Sequence, residues 1–356
     1  MSEGVAIDIE GRRWAYWSDL EIHLGLDSHG SVGFTAPFEP ERKDFRNTFR
    51  PFSFKPLTLT VDGDPLFTGT LVDVNPTTDP GERKVACSAY SKPAVLEDSN
   101  LPAASAPFEA SGLSLRQIAQ RLCAPFGVGV VLEVSDGAPF KKINSRNKKG
   151  DTQAEPDQRI QDFLVDLAKQ RGLVISSTPR GELLFRKAVA PGNPVVRLEQ
   201  GVPPLVSVVP TFSPQSYYSE ITGFTSAKRG RVGSKYTERN ERLSGGVLRS
   251  HSFKLEDTEK ADAPAAVRFK VSRMFAAMCS FVVNVPTWRD SKGKLWEPNT
   301  TLMLKAPGAM IYTDYEFLIR DVYLKQSAGE TTASLGLVLP GAFTESQPDF
   351  LPWQER

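Results

Sequence analysis

Cysteine and histidine are both scarce in this chain, with three of each in 356 residues. Cys87, Cys123 and Cys279 lie far apart with no C-x-x-C spacing, which speaks against a cysteine zinc site and against a disulfide framework. A protein made and used reduced, in a cytoplasm, fits that usage. His23 and His29 sit six residues apart in HLGLDSH, without the i, i+4 spacing of a helical zinc pair, and His251 stands alone. His23 and His29 read as exposed strand or turn residues rather than metal ligands. No G-x-S-x-G, Walker A or G-x-G-x-x-G string occurs, so serine hydrolase, P-loop and dinucleotide readings have no support. No apolar core follows the start MSEGVAIDIEGRRW, and no secretory signal is expected. The longest uncharged run, from Gly201 to Ser219, carries Pro203, Pro204, Pro210 and Pro214, so no spanning helix is expected either. Net charge is nearly absent too: 43 basic against 42 acidic residues leave +1 and no global pull toward nucleic acid or anionic lipid.

The length points to several small domains rather than one large core. The first ninety residues read as strands: Val5 to Ile9, Trp14 to Leu24, Leu57 to Val61, Leu66 to Val74 and Val85 to Tyr90. Asp62-Gly63-Asp64 between two of them is a strong hairpin signal. Phe34 to Pro56 mixes charges, prolines and phenylalanines without period, and is expected to be an extended loop.

The character changes at Ser91. Ser114 and Gln117 form a capping box before Leu115, Ile118, Ala119, Leu122 and Cys123, which recur at helical spacing until Pro125. A second helix is expected to open near Glu155-Pro156, to carry Ile160, Phe163, Leu164, Leu167 and Ala168 on one face, and to stop at Gly172. A hairpin around Pro179-Arg180-Gly181 completes a small α+β unit. After the linker Pro191 to Pro194 strands return at Val195 to Leu198, Pro204 to Val209 and Ser216 to Phe224. Ser226 to Ser250, with seven basic residues against two glutamates, reads as a solvated loop. A third helix from Asp262, Ala263 and Pro264 aligns Val267, Val271, Met274 and Met278, and the strand Phe281 to Val285 follows.

Few residues point to chemistry. Asp157, Asp162 and Asp166 fall on the outer face of the second helix, where solvation explains them better than glycosidase acid/base work across a cleft. Lys141, Lys142, Arg146, Lys148 and Lys149 share one loop, and Phe45, Phe49, Phe52 and Phe54 stand beside Arg46 and Arg50. Such basic and aromatic groups can stack and neutralise single-stranded nucleic acid, but no recognised nucleic-acid motif accompanies them. A solvated loop or a protein contact is the favoured reading.

Toward the C-terminus, Thr301 to Lys305, Tyr315 to Leu324 and Thr331 to Leu339 form a strand-rich meander. Asp321-Val322 and Gly329-Glu330 repeat, at an offset of 248, Asp73-Val74 and Gly81-Glu82, which hints at a duplicated fold. The tract Trp288 to Phe343, the helix segment LSLRQIAQRLCAPFGVGV and the segment QRIQDFLVDLAKQRGLVISSTPRGELLFRK together resemble the tail baseplate hub proteins of Mu-like bacteriophages. The T-even phage hub and the N-terminal part of type VI secretion spike proteins are similar in architecture.

That resemblance implies a β-rich α+β fold with two tail-tube-like β-barrel domains plus smaller α+β domains. It places them at 1–90 for the first barrel, 91–190 for an α+β domain, and 191–255 with 286–343 for the second barrel. Residues 256–285 become an inserted helix–strand segment, and 344–356 a tail. It further implies a structural, non-enzymatic hub in the virion tail baseplate, assembled in the host cytoplasm. Such a hub is a homotrimer joining a hexameric tail tube or distal tail protein to a trimeric spike and other baseplate proteins. No catalytic, cofactor or metal residue is expected, and neither a membrane nor sequence-specific nucleic acid as a partner. The competing readings are a tail-associated cell-wall hydrolase and a nucleic-acid-contacting module.

Overall fold

Alternating apolar and polar residues generate most of the strands, and their order of pairing repeats along the chain. The computed structural model describes residues 4–79, 81–102, 108, 110–140, 157–226, 232–243, 246–255, 263–327, 329–344 and 348–354. The first region contains β1 (Val5–Ile9), β2 (Arg12–Trp14), β3 (Asp19–Gly25), β4 (Ser31–Pro37), α1 (Lys43–Thr48), β5 (Pro56–Val61), β6 (Asp64–Asp79) and β7 (Glu82–Ser91). Val61 pairs with Asp64 across a two-residue corner in which Asp62 and Gly63 take φ of 52° and 92°, as a tight hairpin turn of this hand requires.

A small α+β unit follows, with α2 (Val95–Asp98), α3 (Leu115–Cys123), β8 (Val130–Leu132), α4 (Ile160–Lys169), β9 (Val174–Ser177) and β10 (Leu183–Arg186). The capping box forms: Gln117 N–H donates to Ser114 Oγ at 3.3 Å, and Ser114 N–H to Gln117 Oε1 at 3.0 Å. Leu115, Ile118, Ala119 and Leu122 of α3 pack with Ile160, Phe163, Leu164 and Leu167 of α4 in one core. Hydrophobic burial of these two stripes against the β9–β10 hairpin holds the unit together. β8 adds to β10 in parallel. The expected opening of the second helix at Glu155-Pro156 lies outside the described residues; the described helix begins at Ile160.

The last region holds β11 (Arg197–Glu199), β12 (Ser207–Phe212), β13 (Glu220–Ser226), β14 (Val232–Arg239), β15 (Ser250–Leu255), α5 (Ala263–Ala276), β16 (Cys279–Val285), β17 (Thr301–Ala306), β18 (Ile311–Ser327) and β19 (Glu330–Val338). Within one 13-stranded sheet the order β3-β4-β7-β6-β5-β1 is matched by β12-β16-β19-β18-β17-β11. All nine Cα pairs of the β18–β19 hairpin equal pairs of the β6–β7 hairpin displaced by 248 residues. Even the irregularity coincides, with Val72 the extra residue in one and Arg320 in the other. The two repeats differ at the end of the series, where β1 runs antiparallel to β5 but β11 parallel to β17. They are welded by β3, which pairs with β4 of its own repeat and with Asp321–Ser327 of β18. One core runs under both repeats, from Ile22 and Val32 to Phe281 and Leu335.

The structure is thus β-rich α+β, but among the described residues the large sheet is an open, branched path rather than two closed barrels. Two stretches expected as loops carry regular structure. Phe34 to Pro56 begins within β4 and contains α1, whose Phe45 is buried together with Phe49 against Trp14, ring centroids 5.0 Å apart in each case. Burying two phenylalanines repays the ordering of a segment that shows no period in sequence. Within Ser226 to Ser250 lies β14, which with β13 and β15 forms a separate three-stranded sheet covered by α5. Its exposed face explains why its basic residues read as loop. Of the expected stripe on the third helix, Val267 is buried, Val271 and Met274 are half-buried, and Met278 lies beyond the helix. The segment 256–285 is divided: α5 packs on the small sheet, and β16 joins the large one.

Candidate functional site

The most densely organised polar surface lies where the two repeats meet. Along the β3–β18 ladder, side chains of one face pair across the strands at every second position. Ser327 Oγ donates to Asp19 Oδ1 at 2.5 Å, Lys325 Nζ lies 3.1 Å from Glu21 Oε2, and His23 Nε2 lies 3.0 Å from Asp321 Oδ1. His23 also stacks on Tyr323 at 4.5 Å between ring centroids. Hydrogen bonds from Ser327 and Ser18 pull the Asp19 pKa below the usual carboxylate range. At the end of the ladder the bulge turns Arg320 toward the β3–β4 corner, where Asp27 accepts from Arg320 Nε at 2.9 Å and from Arg273 Nη2 of α5 at 3.0 Å. Cross-strand pairs of this kind fix register and rigidity, and none presents an activated nucleophile or a paired acid and base.

The histidines do not converge. His29 is buried, 7% exposed, contrary to the expected surface position. It sits at the contact between the first repeat and the α+β unit, where Ser177 Oγ accepts from the adjacent Gly30 N–H and the Glu97 carboxylate is 3.9 Å from Nε2. Neither ring nitrogen has a hydrogen-bond partner of ordinary geometry, and burial pushes its pKa down to about 4, opposed by the neighbouring Gln161 amide. His251 lies on β15 beside Tyr218 and Phe253. Among the described residues no group of three His, Cys, Asp or Glu could hold a metal. Burial pushes the thiols of Cys87, Cys123 and Cys279 up to about 12, far from nucleophilic use.

Asp157, Asp162 and Asp166 are exposed on the solvent side of the α4 region. The basic–aromatic cluster separates: Phe45 and Phe49 belong to the core, while Phe52 and Phe54 are 86% and 56% exposed. Both exposed rings sit on backbone of positive φ, 58° and 46°, which is uncommon for a bulky side chain. Arg46 turns its guanidinium to the carbonyls of Pro40 and Glu41. Lys141, Lys142, Arg146, Lys148 and Lys149, and likewise Lys228, Arg229 and Arg231, lie outside the described residues. Of the remaining basic residues, Arg249 donates to the carbonyls of Tyr217 and Pro214, and Arg242 to those of Pro348 and Asp349 while lying over the Phe275 ring. These cations tie the small sheet and the C-terminal segment together. The sequence signal that marks the repeat joint, the offset echo at Asp321-Val322, gave no hint of its partners Asp27 and His23.

Comparison with known proteins agrees with this architecture. Residues 94–187 match the family model of the second domain of gp44-like baseplate hub proteins. Baseplate hub protein gp44 of Escherichia phage Mu is 24% identical over 335 residues, covering 91% of this chain and 84% of the relative. The chain is similar to the Mu-like baseplate hubs over most of its length. The hub-like fold recurs in the crystal structure of the 43 kDa tail protein of prophage MuSo2 from Shewanella oneidensis, with a TM-score of 0.80, 24% identity and coverage of 96% of this chain and 99% of that one. The E. coli c3393 protein, a component of the type VI secretion system described as similar to T4 tail proteins gp27 and gp5, superposes with a TM-score of 0.55 at 10% identity, covering 94% of this chain and 76% of that one. Among the described residues no helix is long and apolar enough to cross a membrane.

Proposed function

We propose that the chain is a structural baseplate hub of a phage tail, working in the virion as a binding and assembly part and not as an enzyme. The observation that carries this reading is the duplicated strand order within one chain. Two like repeats per chain let three copies present six similar faces, so that a threefold object below can be matched to a sixfold one above. On this reading each repeat is one tube-like unit, 1–90 the first and the strands after 190 the second. The α+β unit 91–190 and the small sheet with α5 are outward decorations that meet neighbouring baseplate proteins. The partners are further copies of the chain, a trimeric spike and a tail tube or distal tail protein, with assembly in the host cytoplasm. Kinship to the Mu hub and the likeness to a type VI secretion component support the spike and tube assignments.

The test is cryo-electron microscopy of the tail tip, with copy number from quantitative mass spectrometry of purified particles. Three copies in a ring between tube and spike are expected. Six copies per particle, a twofold arrangement, or tails that lack the chain would overturn the reading.

A further inference from the structure

The small sheet has two unlike faces. Tyr236, Phe253 and Leu255 share one of them and pack under α5. On the other, Lys235, Thr237 and Arg239 of β14 and Ser250, Ser252 and Lys254 of β15 are all exposed, so no other part of the chain covers it among the described residues. The register places Phe224 of β13 between Lys235 and Lys254, and Thr222 between Thr237 and Ser252. Lysines so placed shield a ring with their stems and keep their ammonium groups in water; Phe224 is half-buried. The hydroxyls of Thr222 and Thr237 bond one another at 2.8 Å, which holds their row in place.

Positive charge is concentrated in this unit. Residues 220–276 hold twelve of the 43 basic residues but only seven of the 42 acidic ones, so the rest of a nearly neutral chain is net acidic. On the open face the one carboxylate among the described residues, that of Glu220, lies 3.6 Å from Arg239. Neither Lys235 nor Lys254 has an ion-pair partner among the described residues. Val247 and Leu248, just before β15, are exposed at the end of the sheet nearest Arg239 and offer apolar contact beside the cations.

We propose that this face docks an acidic, extended segment of a neighbouring tail protein. Lys235 and Lys254 stand two strands apart, about 10 Å between Cα atoms. Carboxylates two residues apart on an extended chain point the same way at a spacing of ~7 Å, within reach of two long, flexible lysines. The hydroxyls of Thr237 and Ser252 can donate to the same segment, and complementary charge sets its orientation. Single-stranded nucleic acid fits less well. Its sites combine several open aromatic platforms with a groove of cations, whereas this face offers one shielded ring and three cations, one already paired. The hub reading supplies only the identity of the partner as a tail component; the chemistry follows from the face itself.

Charge reversal in the full chain tests this. The probe is labelled hexaglutamate, with labelled hexathymidylate as its nucleic-acid counterpart, both titrated at low salt where exposed charge pairs are least screened. The parent should bind hexaglutamate the more tightly of the two. Lys235→Glu/Lys254→Glu should bind it at least about tenfold more weakly than the parent, because two attractions become repulsions. Lys292→Glu/Lys294→Glu, on the exposed loop before β17, should bind it as the parent does. In a complementation assay the first double variant should enter tails poorly, and acidic-to-lysine changes in one other tail protein should restore it. Urea midpoints establish that each variant is folded, and Lys235→Gln/Lys254→Gln takes over if charge reversal unfolds the sheet. Equal hexaglutamate binding by parent and variant, a preference for hexathymidylate, or normal uptake into tails would each overturn the proposal. Normal uptake is what lysines that merely guard sheet edges predict. If the parent chain is itself absent from tails, the hub reading fails and the titrations alone decide the face.

Discussion

Arg320 Nε donates to Asp27 Oδ1 across 2.9 Å, and by doing so the residue that the bulge leaves without a partner on β19 ties the second repeat to the first. In the first repeat the same bulge position holds Val72, which has no charge to offer. Removing the Asp27 carboxylate strips a partner from both Arg320 and Arg273. Asp27→Ala should lower stability by about 1–3 kcal/mol, the usual range for charge-assisted hydrogen bonds. Urea unfolding of parent and variant checks this, and equal midpoints would show that the contact is ornamental.

Leu167 is buried between α4, α3 and the hairpin of the α+β unit. Leu167→Ala should cost about 2–5 kcal/mol, through lost burial and the cavity left behind. Calorimetry should show a lower melting temperature for this unit. A variant as stable as the parent would mean that the helix face does not carry the core.

His29 makes docking of the α+β unit sensitive to acid. Its pKa is about 4 in the folded chain, against 6.5 for the free side chain, because burial disfavours the imidazolium. A depressed pKa means that the folded state needs the neutral ring. This stabilisation is complete above pH 6.5 and drains away as pH falls toward 4, to a limit of roughly 3 kcal/mol. Glu97, whose pKa burial raises, titrates in the opposite sense, gaining stability as it is protonated. Denaturation midpoints at pH 7 and pH 5 should therefore converge more closely in His29→Gln than in the parent. An unchanged difference between the two pH values would place the acid sensitivity elsewhere.

Phe52 and Phe54 are exposed rings held on left-handed backbone, a conformation retained at some cost. Exposed aromatics are the usual anchors of protein interfaces. The double variant Phe52→Ala/Phe54→Ala should change stability by no more than about 0.5 kcal/mol. It should nevertheless reduce incorporation of the chain into tails in a complementation assay. Normal incorporation would show that these rings contact no partner.

Local signals settled much of this molecule in advance. The Asp62-Gly63 corner, the Ser114–Gln117 cap, the apolar stripes of α3 and α4 and the C-terminal meander all depend on neighbours a few residues away, so their periods and caps are written in consecutive letters. The 248-residue echo was legible for the same reason, since a hairpin repeats its turn and its first paired residues together. What tertiary structure decided was where edges and misfit segments went. α1 is ordered by Trp14 from outside its own segment, β14 by β13, and His29 is buried by helices more than sixty residues further along the chain. The weld between β3 and β18, almost three hundred residues apart, joined the two repeats in one sheet that is open among the described residues, because an edge strand bonds to whichever partner the fold brings within 5 Å or so. No local pattern encodes that choice.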